Sequence, residues 1–235
     1  MKAIIEEIRN DLINFSDPDH RKSGERYFRE AVSLYGVKAQ NLHRISGEHF
    51  KKLTDKSKNN VFSCCELLFR SGMMEESIIA CLWADRVKNQ FHPDDFRVFD
   101  KWVHNYITNW ATCDTLCNHA VGDLVRAYPE LLPGLKTWAR SSERWVKRAA
   151  AVSLIIPARK GIFVDDIFEI ATILLNDQDD MVQKGYGWML KACSEAHQEA
   201  VFQFVMKNKQ IMPRTALRYA IEKMPAEMKT EAMKK

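Results

Sequence analysis

The sequence predicts an all-α protein in which two-helix repeats stack into a curved α-α superhelix. Three observations predict it. Apolar residues recur with a helical period along almost the whole chain. No stretch keeps the period-two alternation of a half-buried strand, and no Asn-Gly or Asp-Gly hairpin turn occurs. One kind of residue pair also returns at a step of about 35 residues, the length of a two-helix unit.

The elements follow in order. The opening MKAIIEEIRNDL reads as an amphipathic helix with acids inside it, unlike the apolar core and small-residue cleavage site of a secretory leader. Asp17-Pro18 marks a helix start, with the aspartate as cap and the proline in the first turn. Val61, Cys64, Cys65, Leu68 and Phe69 form one stripe over 61–69. His92-Pro93-Asp94 marks a further start, since Pro93 ends whatever precedes it. Ser141 and Ser142 are placed to cap the helix that carries Trp145 and Arg148. Phe163, Ile167, Ile170, Ala171 and Leu174 form a second stripe over 163–175. Pro129, Pro133, Pro157 and Pro213 separate the remaining segments. No linker rich in proline, glycine and serine divides the chain. It therefore reads as a single repeat domain over 1–235, with about 1–55 a less regular N-terminal cap.

Composition narrows the class. Hydrophobic residues make up 46% and charged residues 28% of the chain, which is globular rather than disordered. No apolar run approaches the roughly 20 residues of a membrane span. The formal charge is only +4, but it is unevenly placed. Residues 136–160 hold Lys136, Arg140, Arg144, Lys147, Arg148, Arg159 and Lys160 against one acid, Glu143. A basic patch on a near-neutral body favours a polyanion. The cysteines Cys64, Cys65, Cys81, Cys113, Cys117 and Cys193 lack the paired spacing of a zinc site and read as reduced, buried thiols of a cytoplasmic protein. No metal and no cofactor is implied.

The recurring pairs are Trp110/Asp114, Arg144/Arg148, Lys184/Trp188 and Arg214/Arg218. Each is spaced i,i+4, which puts both members on one helix face. Asp114, Arg148, Lys184 and Arg218 advance by 34, 36 and 34 residues. Stacked repeats would set these pairs along one surface. RWVKRAA at 144–150 aligns with DMVQKGY at 180–186, placing Val146 over Val182 and Arg148 over Lys184. In that register the valines face the core and the cations face outward. An acid one turn from an indole could steady a developing cation or orient a water. Equally, Trp110 could be core, with Thr112 or Asp114 capping a helix. Two glycines in KGYGW imply that something approaches the backbone closely, either a neighbouring helix or a bound strand with Trp188 beside it. Arg144 and Arg148, flanked by Lys147, suit phosphate oxygens, and Arg214 and Arg218 extend the track. His119 lies off the Asp114 face. There is no Gly-rich phosphate loop, no G-x-S-x-G and no HExxH.

At these residues the chain resembles the AlkD family of DNA alkylation-repair glycosylases, which are built of HEAT-like repeats. The likeness rests on YFREAVSLYGVKAQNLHRI at 27–45, NWATCDTL at 109–116, SERWVKRAAAV at 142–152 and VQKGYGWMLK at 182–191, in that order. One departure is Ala111, which follows Trp110 where many relatives have Trp-Asp. The resemblance implies monofunctional excision of cationic N3- and N7-alkylated purines from duplex DNA, leaving an abasic site. It implies catalytic roles for Asp114, Trp110 and Trp188. It implies DNA contacts by Arg148, Arg144, Lys147, Lys184, Arg214 and Arg218. A monomer acting on the DNA of the cytoplasm, with no membrane partner, is expected. Two other readings stay open: a family member that binds damaged or branched DNA without excision, and a HEAT-like scaffold for protein partners.

Overall fold

The computed structural model describes residues 1–234 and bears out the all-α class. It holds sixteen α-helical segments. Among the described residues the only extended pairing is an isolated bridge between Ser33 and Met73. No helix among them is long and apolar enough to cross a membrane. The helices group into two compact units, Met1–Leu116 and Cys117–Lys235.

The first unit contains α1 (Lys2–Asn14), α2 (Pro18–Glu25), α3 (Ala39–Lys52), α4 (Lys58–Phe69), α5 (Met74–Arg86), α6 (Asp95–Tyr106) and α7 (Trp110–Thr115). The apolar stripe of α1 buries Ile5, Ile8 and Leu12. Helices α3, α5 and α7 pack in succession, and α4 packs against α5. The predicted start at Asp17-Pro18 holds: the Asp17 carboxylate accepts the amides of Asp19 and His20, both at 3.0 Å. The start after Pro93 holds too, with a different acid closing the turn. Asp94 makes no side-chain cap bond. Asp95 instead reaches back to the His92 amide at 2.7 Å and takes Lys58 at 2.8 Å. The core is aromatic, with Trp83, Trp102 and Phe99 fully buried. The indole N–H of Trp83 donates to the Ser46 carbonyl at 3.0 Å, and that of Trp102 to Glu66 at 2.8 Å, so neither polar edge is left unpaired.

The second unit contains α8 (Gly122–Ala127), α9 (Leu132–Ala139), α10 (Arg144–Val152), α11 (Ile155–Arg159), α12 (Val164–Ile173), α13 (Asp180–Cys193), α14 (Gln198–Asn208), α15 (Arg214–Ala220) and α16 (Ala226–Met233). Helix pairs α9/α10, α12/α13 and α14/α15 stack, with α10, α13 and α15 forming one row. Helices α7, α10, α13 and α15 begin at residues 110, 144, 180 and 214, steps of 34, 36 and 34. The repeat in the sequence is therefore a repeat of helices. Val146 and Val182, set over each other by that register, are both buried, at 1% and 0% exposure.

Two local expectations fail. Neither Ser141 nor Ser142 caps α10. Glu143 is the cap residue without a side-chain bond, and the Ser141 hydroxyl accepts the Glu143 amide at 3.1 Å instead, tightening the turn ahead of the helix. Pro157 does not separate segments. It sits in the first turns of short α11, where its missing N–H costs no helical bond. The glycine expectation resolves toward a neighbouring helix. A Cβ on Gly187 would lie 2.7 Å from Tyr219 Cβ and 2.9 Å from the Ala216 carbonyl oxygen, so α13 and α15 meet there at a distance only glycine permits. All six cysteines are buried thiols outside any disulfide.

Candidate functional site

In the first unit the site begins with Asn109, which caps α7. Its side chain accepts the Thr112 amide at 3.0 Å, and the buried Thr112 hydroxyl returns a bond to the Asn109 carbonyl at 3.2 Å. Neither Thr112 nor Asp114 therefore serves as a cap. Trp110 is the first helical residue, and Asp114 follows one turn later on the same face, half-buried. Beyond Thr115 the backbone winds through a π-helical turn, Leu116–Val121. Such turns recur near functional residues. His119 is exposed on this turn.

The tryptophans sort cleanly by burial. Of the six, Trp83, Trp102, Trp138 and Trp145 are buried at 0–9% exposure. Trp110 and Trp188 are the two that are not. Trp110 is no core residue. Its ring stacks on Phe28 instead, with centroids 5.4 Å apart and planes inclined by 18°.

In the second unit Arg144, Lys147 and Arg148 lie on α10, and Lys184 and Trp188 on α13, the next helix of the row. Arg148 does not face outward as the repeat register implied: it is only 5% exposed, folded between α10 and α13. Its guanidinium donates to the Met181 carbonyl at 2.6 Å, and its stem crosses Gly185, where a Cβ would lie 3.2 Å from Arg148 Cγ. The close approach at Gly185 is thus made by Arg148 itself. Arg144 donates through Nε to Asp179 at 2.7 Å and through Nη2 to the same oxygen. Asp179 also caps α13, accepting the amides of Met181 at 2.9 Å and Val182 at 3.3 Å. Burial alone would raise the Asp179 carboxyl, but the bonds from Arg144 and Met181 carry it below the usual range. Lys147 pairs with Asp177. Lys184 pairs with Asp180 one turn earlier, at 3.2 Å.

The basic stretch is therefore laced to acids of the following repeat. Lys136 meets Asp166 at 2.8 Å and Glu169 at 2.6 Å, which raises its ammonium pKa. Arg159 meets Glu195 at 3.3 Å. Arg214 and Arg218 on α15 are both exposed, and neither has a carboxylate partner among the described residues. Arg214 donates only to the Met233 carbonyl, at 3.3 Å. Trp188 is half-buried and has no ring partner among the described residues.

The arrangement offers an acid and an indole on one helical turn, and a separate row of helices bearing cations and a second indole. Such groups suit a phosphodiester polymer and a cationic centre on it. Among the described residues no group of acids, histidines and cysteines is placed to hold a metal ion. Sequence reasoning missed Phe28, whose only sign was an aromatic in a polar segment. It also missed Asp177 and Asp179, whose charges were legible in NDQDD but whose partners lie 30 and 35 residues away, and Asp180, whose partner Lys184 is one turn further on.

Comparison with known proteins agrees with this reading at the level of the family. A search of curated proteins returns no match. A solved structure titled "Predicted DNA alkylation repair enzyme from Enterococcus faecalis" is similar to this chain at 16% identity, covering 90% of this chain and 97% of that one with a TM-score of 0.79. At that identity the likeness establishes the fold. A family model described as DNA alkylation repair enzyme matches residues 8–224. With nearly its whole length matched, the chain belongs to the DNA alkylation repair enzyme family, the AlkD-like family its motifs resemble.

Proposed function

We propose that this protein is a monofunctional DNA glycosylase, built on HEAT-like repeats, that hydrolyses the N-glycosidic bond of cationic N3- and N7-alkylated purines in duplex DNA. The observation that carries the reading is the pair Trp110 and Asp114. Both stand partly exposed on α7, one turn apart on the same face.

The chemistry asks little of the protein. An alkylated purine already carries a positive charge, so its bond to C1′ is weakened. As that bond breaks, the base takes the bonding electrons and leaves neutral, and positive charge develops on the sugar. Asp114 supplies negative charge beside that oxocarbenium-like centre and orients the water that adds to C1′, accepting its proton. Trp110 and Trp188 offer indole faces to the cationic nucleotide and its deoxyribose. Arg144, Lys147, Lys184, Arg214 and Arg218 meet phosphates, and Arg148 braces α10 against α13 beneath them. No base-flipping pocket is needed when a weakened bond is attacked with the lesion still in the duplex.

The role of Asp114 has a direct test. Asp114→Asn keeps the shape and removes the charge, so duplex affinity should stay within about threefold while single-turnover excision of 7-methylguanine falls by roughly 100-fold or more. Excision at the wild-type rate would remove the acid from the chemistry. Tight, salt-sensitive binding by a wild-type protein that releases no base would make this a non-catalytic binder of damaged DNA. Absence of salt-sensitive binding would favour a protein scaffold.

A further inference from the structure

Residues 26–38 contain no helix, yet the segment is held firmly. The Glu75 carboxylate, 2% exposed, accepts three consecutive amides: Tyr35 at 3.1 Å, Gly36 at 2.8 Å and Val37 at 3.2 Å. Its neighbour Glu76, 1% exposed, accepts the Tyr35 hydroxyl at 2.8 Å and Arg9 Nε at 3.2 Å. The Met74 amide donates to the Ser33 carbonyl at 2.9 Å, completing the bridge. Two buried carboxylates at the start of one helix are a costly fastening, tolerable because each is fully bonded. They pin the segment to α5, and α5 packs directly on α7. What the pinned segment delivers is Phe28, stacked on Trp110. Neither ring is buried, so the stack adds little to the core.

From this geometry we propose that Phe28 is a positioning residue for Trp110. It fixes the plane of the indole and covers one of its faces, so that a cationic nucleotide meets the other. The proposal rests on the glycosylase reading above. A freely rotating half-exposed indole would populate several rotamers, and only one would be aligned with the reacting nucleotide. Stacking selects that rotamer before DNA arrives, an effect on rate rather than on duplex affinity.

The test is a double-mutant cycle on single-turnover base release from methylated duplex, with duplex affinity and thermal midpoint measured beside it. Phe28→Ala should lower the saturating rate by roughly three- to thirtyfold, leaving the dissociation constant within about twofold. Phe28→Tyr, which retains a ring, should restore the rate. In a Trp110→Ala background, Phe28→Ala should cause no further loss, because its effect passes through the indole. If Phe28→Ala unfolds the protein, Phe28→Leu keeps the bulk without the stack and takes its place in the cycle. A Trp110→Ala loss with a wild-type rate for Phe28→Ala overturns the positioning role alone, as do losses that multiply in the double variant. A Trp110→Ala variant as fast as wild type overturns the roles of Trp110 and Phe28 and leaves excision standing, whereas a wild-type protein that releases no base overturns the glycosylase reading and this role with it.

Discussion

Replacing Asp177 by asparagine should steepen the salt dependence of DNA binding and tighten it. The basic track holds six cations, the five proposed to meet phosphates and Arg148 beneath them. If all six met phosphates freely, the logarithm of affinity would fall with that of salt at a slope of about −5. Three of them already hold carboxylates: Arg144 with Asp179, Lys147 with Asp177 and Lys184 with Asp180. A cation that leaves a carboxylate for a phosphate forces the carboxylate to recruit a salt cation, so the exchange releases almost no net ions. Arg214 and Arg218 then set a slope of about −2, to which buried Arg148 adds one at most. Asp177→Asn frees Lys147, a partly buried pair at 18% and 12% side-chain exposure. The slope should steepen by about one unit, and the dissociation constant near 50 mM salt should fall by roughly three- to tenfold, or about 1 kcal/mol. The substitution is mild, because an asparagine oxygen can still accept the Asp179 amide that Asp177 accepts at 2.9 Å. Fluorescence anisotropy with a labelled duplex at several salt concentrations reads both quantities. An unchanged slope in a folded variant would refute a phosphate contact by Lys147. A wild-type slope near −5 would show that the ion pairs do not hold these cations in solution.

Further outcomes follow from the packing and the buried acids. Gly187→Ala should lower stability by about 1–3 kcal/mol and the thermal midpoint by roughly 2–10 °C, since its methyl meets Tyr219 and the Ala216 backbone. Gly185→Ala would set its methyl 3.2 Å from Arg148 Cγ and no nearer than 3.8 Å to backbone, and should cost less; the reverse order would contradict the packing account. Glu75→Gln should cost about 2–4 kcal/mol in urea unfolding through the three amides it serves, and an unchanged midpoint would mean that residues 33–37 are held by something else. Burial pushes the Glu66 carboxyl up, but bonds from Tyr106 at 2.6 Å, Lys101 at 2.9 Å and Trp102 at 2.8 Å bring it from 4.5 down to about 2. Because the folded value is depressed, the stabilisation is present above pH 4.5 and is lost as pH falls toward 2. It amounts to on the order of 3 kcal/mol, and Glu66→Gln should flatten the stability profile across that window.

The repeat was legible because it is periodic. Val146 and Val182 lie in register, and the same step of 34 to 36 residues marks the helix starts. Trp110 and Trp188, members of the spaced pairs, are half-buried, whereas the other four tryptophans are buried. What stayed hidden depends on residues distant in sequence. No local pattern says that Asp179 both caps α13 and holds Arg144, 35 residues earlier. None says that Glu75 gathers three amides about 40 residues back. The glycines of KGYGW announced a close approach, but whether a bound strand or a neighbouring helix made it could be decided only with α15 and Arg148 in place. The serines at 141 and 142 had the right chemistry for a cap, yet the helix begins later, at Arg144. Cap residues and turn residues share the same side chains, so position decides between them.

The central claim is base excision, and base release tests it most directly. Wild-type protein incubated with methylated duplex DNA, its supernatant resolved by chromatography, should yield free 3-methyladenine or 7-methylguanine. The Asp114→Asn variant under the same conditions should yield almost none. Release that is absent from the wild type, or equal in the two proteins, would contradict the account.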